Sequence, residues 1–232
     1  MTEFRPGRFE ILPLIIKNLL IINGLVFLAQ ITLSDKVPID NLFALHTWQS
    51  SYFKPWQFVT HLFMHGDFGH LFSNMFALWM FGSILENLWG PKRFLTFYLI
   101  CGLGAALCHM GVLYYEAEQL ISEYNALPAY HQSTYTAVVN AKLNSATVGA
   151  SGAVFGCLAA FGYLFPNTYI YIYFFIPMKA KWFVMLYAAF ELYSGIRNSA
   201  GDDIAHFAHL GGALVGIILV YYWNKTNRKQ FY

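Results

Sequence analysis

Charge is the first thing this sequence lacks. Asp, Glu, Lys and Arg make up 11% of its 232 residues, where a soluble domain carries about 25%. A chain so poor in solvated groups cannot clothe a surface in water, and 57% hydrophobic residues make a bilayer the solvent it suits. A surplus of either sign is also missing. The formal net charge is +2, and no dense basic stretch is present to follow a nucleic-acid backbone, so no nucleic-acid partner is expected. Cysteine is scarce: Cys101, Cys108 and Cys157 lie inside apolar runs. Their odd number and spacing argue against a disulfide framework or a thiolate zinc site, and they read as small buried hydrophobes. His61 and His65 are four residues apart, but Leu62 follows His61 where a zinc-protease helix has glutamate. No metal and no other cofactor is expected. With no internal repeat and only short tails, residues 1–232 read as a single membrane domain.

Long apolar runs are what the sequence does have. Six of them, at approximately 14–33, 69–89, 94–115, 148–165, 180–197 and 204–223, are each near the roughly 20 residues that cross about 30 Å of hydrocarbon. They predict an all-α, polytopic membrane protein: a bundle of six transmembrane helices. The first run follows Arg5 and Arg8 but precedes no small-x-small cleavage site, so it reads as a retained helix. With both termini cytoplasmic, the inner side holds Arg5, Arg8, Lys92, Arg93, Lys179, Lys181, Lys225, Arg228 and Lys229. The outer side holds Lys36, Lys54, Lys142 and Arg197, as the positive-inside tendency requires. The first outer connection is rich in aromatics (Phe43, Trp48, Tyr52, Phe53, Trp56, Phe58), as a loop resting in the interface would be. In the third, about 116–147, Leu120, Ile121, Tyr124 and Leu127 have helical spacing that Pro128 ends. Tyr169–Pro177 alternates aromatic and branched residues and reads as an extended cytoplasmic link.

Polar groups inside spans are costly and therefore candidates for function. Ser151 lies between glycines in Gly149-Ala150-Ser151-Gly152, near a helix N-terminus whose free N–H groups suit an oxyanion. Alone, this pattern suits close helix packing better than chemistry. In the sixth run His209, Gly212 and Gly216 share a face, as do Gly152 and Gly156 in the fourth. Two glycine faces can press together and bring His209 to Ser151 as the base that a serine nucleophile needs. His206 reads as an interhelical hydrogen-bonding group. His70 and Asn74 share a face of the second run and can both donate hydrogen bonds; a helix-cap network competes with an oxyanion hole there. Glu86 and Glu191 have no evident cation opposite and read as structural hydrogen-bonding groups.

Together these places resemble the rhomboid family of intramembrane serine proteases over roughly residues 10–223, a minimal six-helix core of bacterial type. Gly149-Ala150-Ser151-Gly152 is similar to the family's nucleophile motif, and His209-Leu210-Gly211-Gly212-x-x-x-Gly216 to its histidine helix. Met64-His65, His70 and Asn74 are similar to its second-helix signature. The resemblance implies a catalytic Ser151–His209 dyad with no third acidic member. It implies an oxyanion site of His70, Asn74 and the Ser151 N–H, with Gly149, Gly152, Phe155 and Gly212 in support. Phe155 would pack on the histidine, and His65 and Glu86 would hold structure. The substrates implied are single-span membrane proteins in the lipid bilayer, cleaved from the extracytoplasmic side of an inner cell membrane. The fifth span and the Arg197–Asp203 loop would move to admit them. Trp56-Gln57 departs from the Trp-Arg of many members, losing a charge in the first outer loop. Two other readings stand beside this one. A non-catalytic rhomboid-like factor would bind membrane proteins without cutting them, although such relatives usually lack the serine or the histidine. A histidine-dependent ion transporter would want acidic partners that the spans do not evidently supply.

Overall fold

The computed structural model describes residues 9–172, 175–197 and 205–226. Arg5, Arg8, Arg228, Lys229 and residues 198–203 of the expected entry loop lie outside the described residues. Helix α1 runs Leu14–Leu33 from a proline at its N-cap, and buries only Ile16, Leu19 and Asn23. The rest of its apolar surface faces outward, as on a helix solvated by lipid. Glu86 holds its first turn, accepting the N–H groups of Ile15 (2.8 Å) and Ile16 (2.9 Å). A carboxylate at a helix N-terminus meets free donors and the positive end of the helix dipole, so it needs no side-chain cation. The structural role expected for Glu86 is borne out in this geometry.

Two short helices, α2 (Ile39–Phe43) and α3 (Gln57–Thr60), lie in the first connection. The second run is α4 (Phe68–Ala77), a π-helical turn (Leu78–Gly82) and α5 (Ser83–Trp89). Gly90, at φ +79°, turns the chain into Pro91, the first residue of α6 (Pro91–Ala126). At 36 residues α6 outruns the expected 94–115, because nothing breaks its helical pattern before Pro128. From there α7 (Ala129–Leu143) folds back, and a 2.8 Å hydrogen bond joins Tyr124 to Thr136. Helix α8 is Ser151–Leu164. The expected extended link is an antiparallel hairpin, β1 (Tyr169–Ile172) with β2 (Ile176–Lys179), and Tyr169 opposes Lys179. Its cross-strand pairing is a departure from the all-α expectation. Helices α9 (Ala180–Arg197) and α10 (His206–Thr226) complete the described fold.

By length and composition, four helical segments among the described residues can cross a membrane: Leu14–Leu33, Phe68–Trp89, Pro91–Ala126 and His206–Lys225. Of the other two expected spans, α8 is apolar but has 14 residues, and α9 carries Lys181, Glu191 and Arg197. Helix α8 is the most enclosed, burying ten consecutive or near-consecutive residues from Gly152 to Gly162. Tyr98, Phe94, Cys101 and Leu78 pack around it. Cys101 and Cys157 are buried as expected, whereas Cys108 is exposed on α6.

Contact between α8 and α10 is made by bare backbone. A Cβ on Gly212 would overlap the Gly152 carbonyl, and one on Gly216 would come 2.8 Å from the Gly156 oxygen. Helix α6 borders the same seam, since a Cβ on Gly156 would lie 2.6 Å from the Cys101 side chain and 3.1 Å from the Gly212 oxygen. Only glycine permits this seam, which is the interhelical approach the two glycine faces predict.

The first connection straps the segment that leads into α8. Leu45 and Thr147 pair as an antiparallel bridge, their N–H groups donating to each other's carbonyls at 2.9 and 2.8 Å. His109 of α6 bonds the Thr147 hydroxyl at 2.8 Å. Gly149 N–H donates to the His61 carbonyl (2.9 Å), and His61 Nδ1–H donates to the Gln57 carbonyl (2.7 Å). Gln57 is fully buried. Its Oε1 accepts from Lys54 N–H (3.1 Å), and its Nε2 donates to the carbonyls of Tyr52 (2.9 Å) and Asn41 (3.1 Å). The uncharged amide thus ties three parts of the loop together. Trp48 and Trp56 remain about half exposed.

Two outcomes follow. Gly212→Ala puts a methyl group on a carbonyl and is expected to lower the melting temperature in detergent, at a cost of about 1–3 kcal/mol. Gly24→Ala, where no atom lies within 4 Å of the added carbon, is expected to leave it unchanged. Burial pushes the His61 imidazole from 6.5 down to about 4. Below pH 6.5 the unfolded chain therefore takes up a proton that the folded chain refuses. Stability is complete above that pH and declines toward pH 4, by about 3 kcal/mol for this group. His61→Asn keeps an N–H for the Gln57 carbonyl without titrating, and should flatten the fall in melting temperature between pH 6.5 and 4.

Candidate active site

Ser151 is the first residue of α8, so its N–H and those just after it have no partner within the helix. Gly149, at φ +130°, makes the turn into that helix, a conformation that side chains disfavour. A Cβ there would also stand 2.9 Å from both Cε1 and Nε2 of His70. The His70 ring therefore lies directly against the serine segment. Gly66 N–H donates to His70 Nδ1 at 3.4 Å. That acceptor role leaves the proton on Nε2, the atom turned toward Gly149. Asn74, one turn along the same face, is buried and donates from Nδ2 to the His70 carbonyl at 3.0 Å. Asp67 caps this helix by accepting the His70 N–H at 2.8 Å.

His209 closes the other side. Its Nε2 is 2.9 Å from Ser151 Oγ. Phe155, one turn after the serine, stacks on the imidazole with centroids 4.2 Å apart and planes 3° from parallel. Both contacts are as expected, and both rest on the glycine seam one turn away.

The surroundings of His209 Nδ1 differ from expectation. Glu191 of α9 lies 2.9 Å from it through Oε2, and the same oxygen is 2.7 Å from His206 Nδ1. The expectation from sequence is no acidic residue placed for a third role and no cation opposite Glu191. The first is corrected, and what stands opposite Glu191 is a pair of imidazole N–H donors rather than a cation. The physical reason is that a carboxylate in an apolar helix must find donors. His206 and His209, three residues apart on one face of the next helix, supply two. His206 makes the interhelical bond expected of it, to this carboxylate. A carboxylate accepts and does not donate, so both Nδ1 atoms carry protons. His209 Nε2 is then the acceptor for the Ser151 hydroxyl.

Glu191, His206 and His209 are also the group among the described residues whose ligand atoms could hold a metal ion, all within 4.8 Å. Their 2.7 and 2.9 Å N···O separations are those of hydrogen bonds. An ion would have to displace both protons. Among the described residues, His61 and His65 belong to no group of three possible ligands, and His61 gives its Nδ1–H to the Gln57 carbonyl. His65 holds structure through its backbone rather than its ring. Gln30 of α1 accepts its N–H (3.0 Å) and donates to its carbonyl (3.2 Å), while the ring packs edge-on to His70 with centroids 5.1 Å apart.

Gln30, His109 and the pairing of Glu191 with the histidines do not stand out in the sequence. Gln30 and His109 carry the same signal as the candidates above, a polar group inside an apolar run. The partner of each lies more than 30 residues away, where spacing carries no information.

Known proteins resemble this chain over most of its length. The model of the Rhomboid domain matches residues 52–225. Rhomboid protein 1, mitochondrial, of Saccharomyces cerevisiae is 30% identical over 72% of this chain and 42% of its own length. RHOMBOID-like protein 12, mitochondrial, of Arabidopsis thaliana is 29% identical over 94% of this chain and 60% of its own. Rhomboid protease AarA of Providencia stuartii is 27% identical over 87% of this chain and 69% of its own. The chain thus spans about half the length of the first two. The matched region runs from the first connection through α10 and contains the serine, both α10 histidines and the His70–Asn74 pair, so this multi-pass membrane protein belongs to the rhomboid family.

Proposed function

We propose that this protein is an intramembrane serine endopeptidase that cleaves single-span membrane proteins through Ser151 and His209. The carrying observation is the 2.9 Å contact between His209 Nε2 and Ser151 Oγ, on a histidine whose other nitrogen is occupied as a donor. His209 takes the hydroxyl proton as Ser151 Oγ attacks a substrate carbonyl. The oxyanion is met by the Ser151 N–H, His70 Nε2–H and an Asn74 N–H. His209 then passes its proton to the leaving amine, and water attacks the acyl-enzyme with His209 again as base. The rigid Phe155 stack limits rotation of the imidazole between these steps.

Six spans with both termini cytoplasmic remain the topology that best fits the basic residues. The short α8 fits that topology as well. Its 14 residues rise about 21 Å, against about 30 Å of hydrocarbon. With Leu164 at the inner interface, Ser151 lies on the order of 10 Å beneath the outer one. This is deep enough to meet a spanning segment and shallow enough for water. A substrate helix hides its carbonyls in hydrogen bonds, so residues that weaken helix are expected at the cut. An inner cell membrane suits this arrangement, with the site on its outer side. The serine bonded to its base argues for catalysis over simple binding of membrane proteins.

In proteoliposomes, Ser151→Ala and His209→Ala are each expected to lower kcat on a single-span substrate by at least about 10³-fold. Fluorophosphonate labelling of Ser151 should be lost in the first. Retention of full activity by purified Ser151→Ala would overturn the assignment. His70→Ala and Asn74→Ala, each removing an oxyanion donor, are expected to cost about 10²–10³-fold in kcat. No step uses a metal, so prolonged dialysis against EDTA should leave the cleavage rate unchanged.

A further inference from the structure

The Ser151–His209 pair is backed by a third group that a dyad does not have. Glu191 is 3% exposed, and its Oε2 lies 2.9 Å from the His209 nitrogen opposite the one facing Ser151. We infer that Glu191 is a positioning residue for the base, so that serine, histidine and glutamate act in line across α8, α10 and α9. This inference rests on the proposed proteolytic reading.

Three observations carry it. First, the carboxylate fixes the tautomer: with Nδ1–H donated to Glu191, Nε2 must be the lone-pair nitrogen that faces the serine. Second, it fixes the plane. The ring is held on its face by Phe155 at 3° and on its edge by Glu191, which leaves the imidazole little freedom to turn. Third, it supplies charge where charge appears. When Nε2 takes the Ser151 proton the ring becomes an imidazolium, and a buried carboxylate at 2.9 Å stabilises it without being protonated itself. His206 completes the arrangement. By giving its own Nδ1–H to the same oxygen at 2.7 Å, it anchors the carboxylate. Gly195 lets α9 come close enough for this, since a Cβ there would lie 3.2 Å from His206 Cβ and 3.0 Å from the Phe207 ring.

The experiment uses the full chain in proteoliposomes with a single-span substrate, and in parallel the rate of fluorophosphonate labelling at Ser151, which reports nucleophile activation without substrate entry. Glu191→Gln keeps the side-chain shape and removes the charge. It is expected to lower kcat by about 10²–10⁴-fold, with KM little changed and labelling slowed in parallel. Glu191→Asp and Glu191→Asn have the same length and differ in charge, so they decide the matter if Glu191→Gln does not fold. The aspartate variant is expected to label at least tenfold faster than the asparagine variant. His206→Asn retains an N–H for Glu191 and is expected to keep more activity than His206→Ala. Equal labelling rates for the Asp and Asn variants, or wild-type kcat in Glu191→Gln, would overturn the role of Glu191 while leaving the dyad in place. An active Ser151→Ala enzyme would instead remove the dyad, and this inference with it.

Discussion

Everything at the site depends on two helices touching without side chains between them. Helices α8 and α10 meet where Gly152 and Gly156 face Gly212 and Gly216, and the closest approach is backbone to backbone. In a membrane there is little hydrophobic drive to bring helices together, so packing quality and polar bonds set the association. Ser151 begins one of these helices and His209 lies within the first turn of the other. Their 2.9 Å separation is therefore fixed by the seam rather than by loops. Around it the neighbours add further constraints: α6 contributes Cys101 and His109, α4 contributes His70, and α9 contributes Glu191.

Polar groups in this fold are handled by local supply. Glu86 accepts from the free amides of α1, Gln30 bonds both backbone groups of His65, and Glu191 accepts hydrogen bonds from two imidazole N–H groups. None needs an Arg or Lys. This explains how a chain with so few charges can bury carboxylates: each is placed where donors already lack partners.

The parts of this arrangement with a short sequence period were legible beforehand. The glycine pairs at four-residue spacing announce their helix faces, the apolar runs announce α1, the second span and α10, and Phe155 follows Ser151 by one turn. Three features were not legible. The hairpin pairing of Tyr169–Ile172 with Ile176–Lys179 looks like any alternating link until a register is known. The continuity of α6 to Ala126 requires knowing that the helical spacing read up to Pro128 joins the apolar run before it without a break. The meeting of Glu191 with His206 and His209 depends on how α9 is rotated about its axis. A helix that is apolar on most sides gives no stripe from which to read that rotation.

Gln57 carries a consequence of a different kind. The loop that steadies the serine segment is gathered by a neutral amide bonded to backbone groups. Neutral hydrogen bonds in a buried setting are barely affected by ionic strength, whereas an exposed ion pair is screened within about 10 Å at 0.1 M salt. An anionic lipid headgroup would likewise compete for a guanidinium but has little hold on an amide. The bonds that gather the loop behind Ser151 are thus of a kind that dissolved salt barely screens.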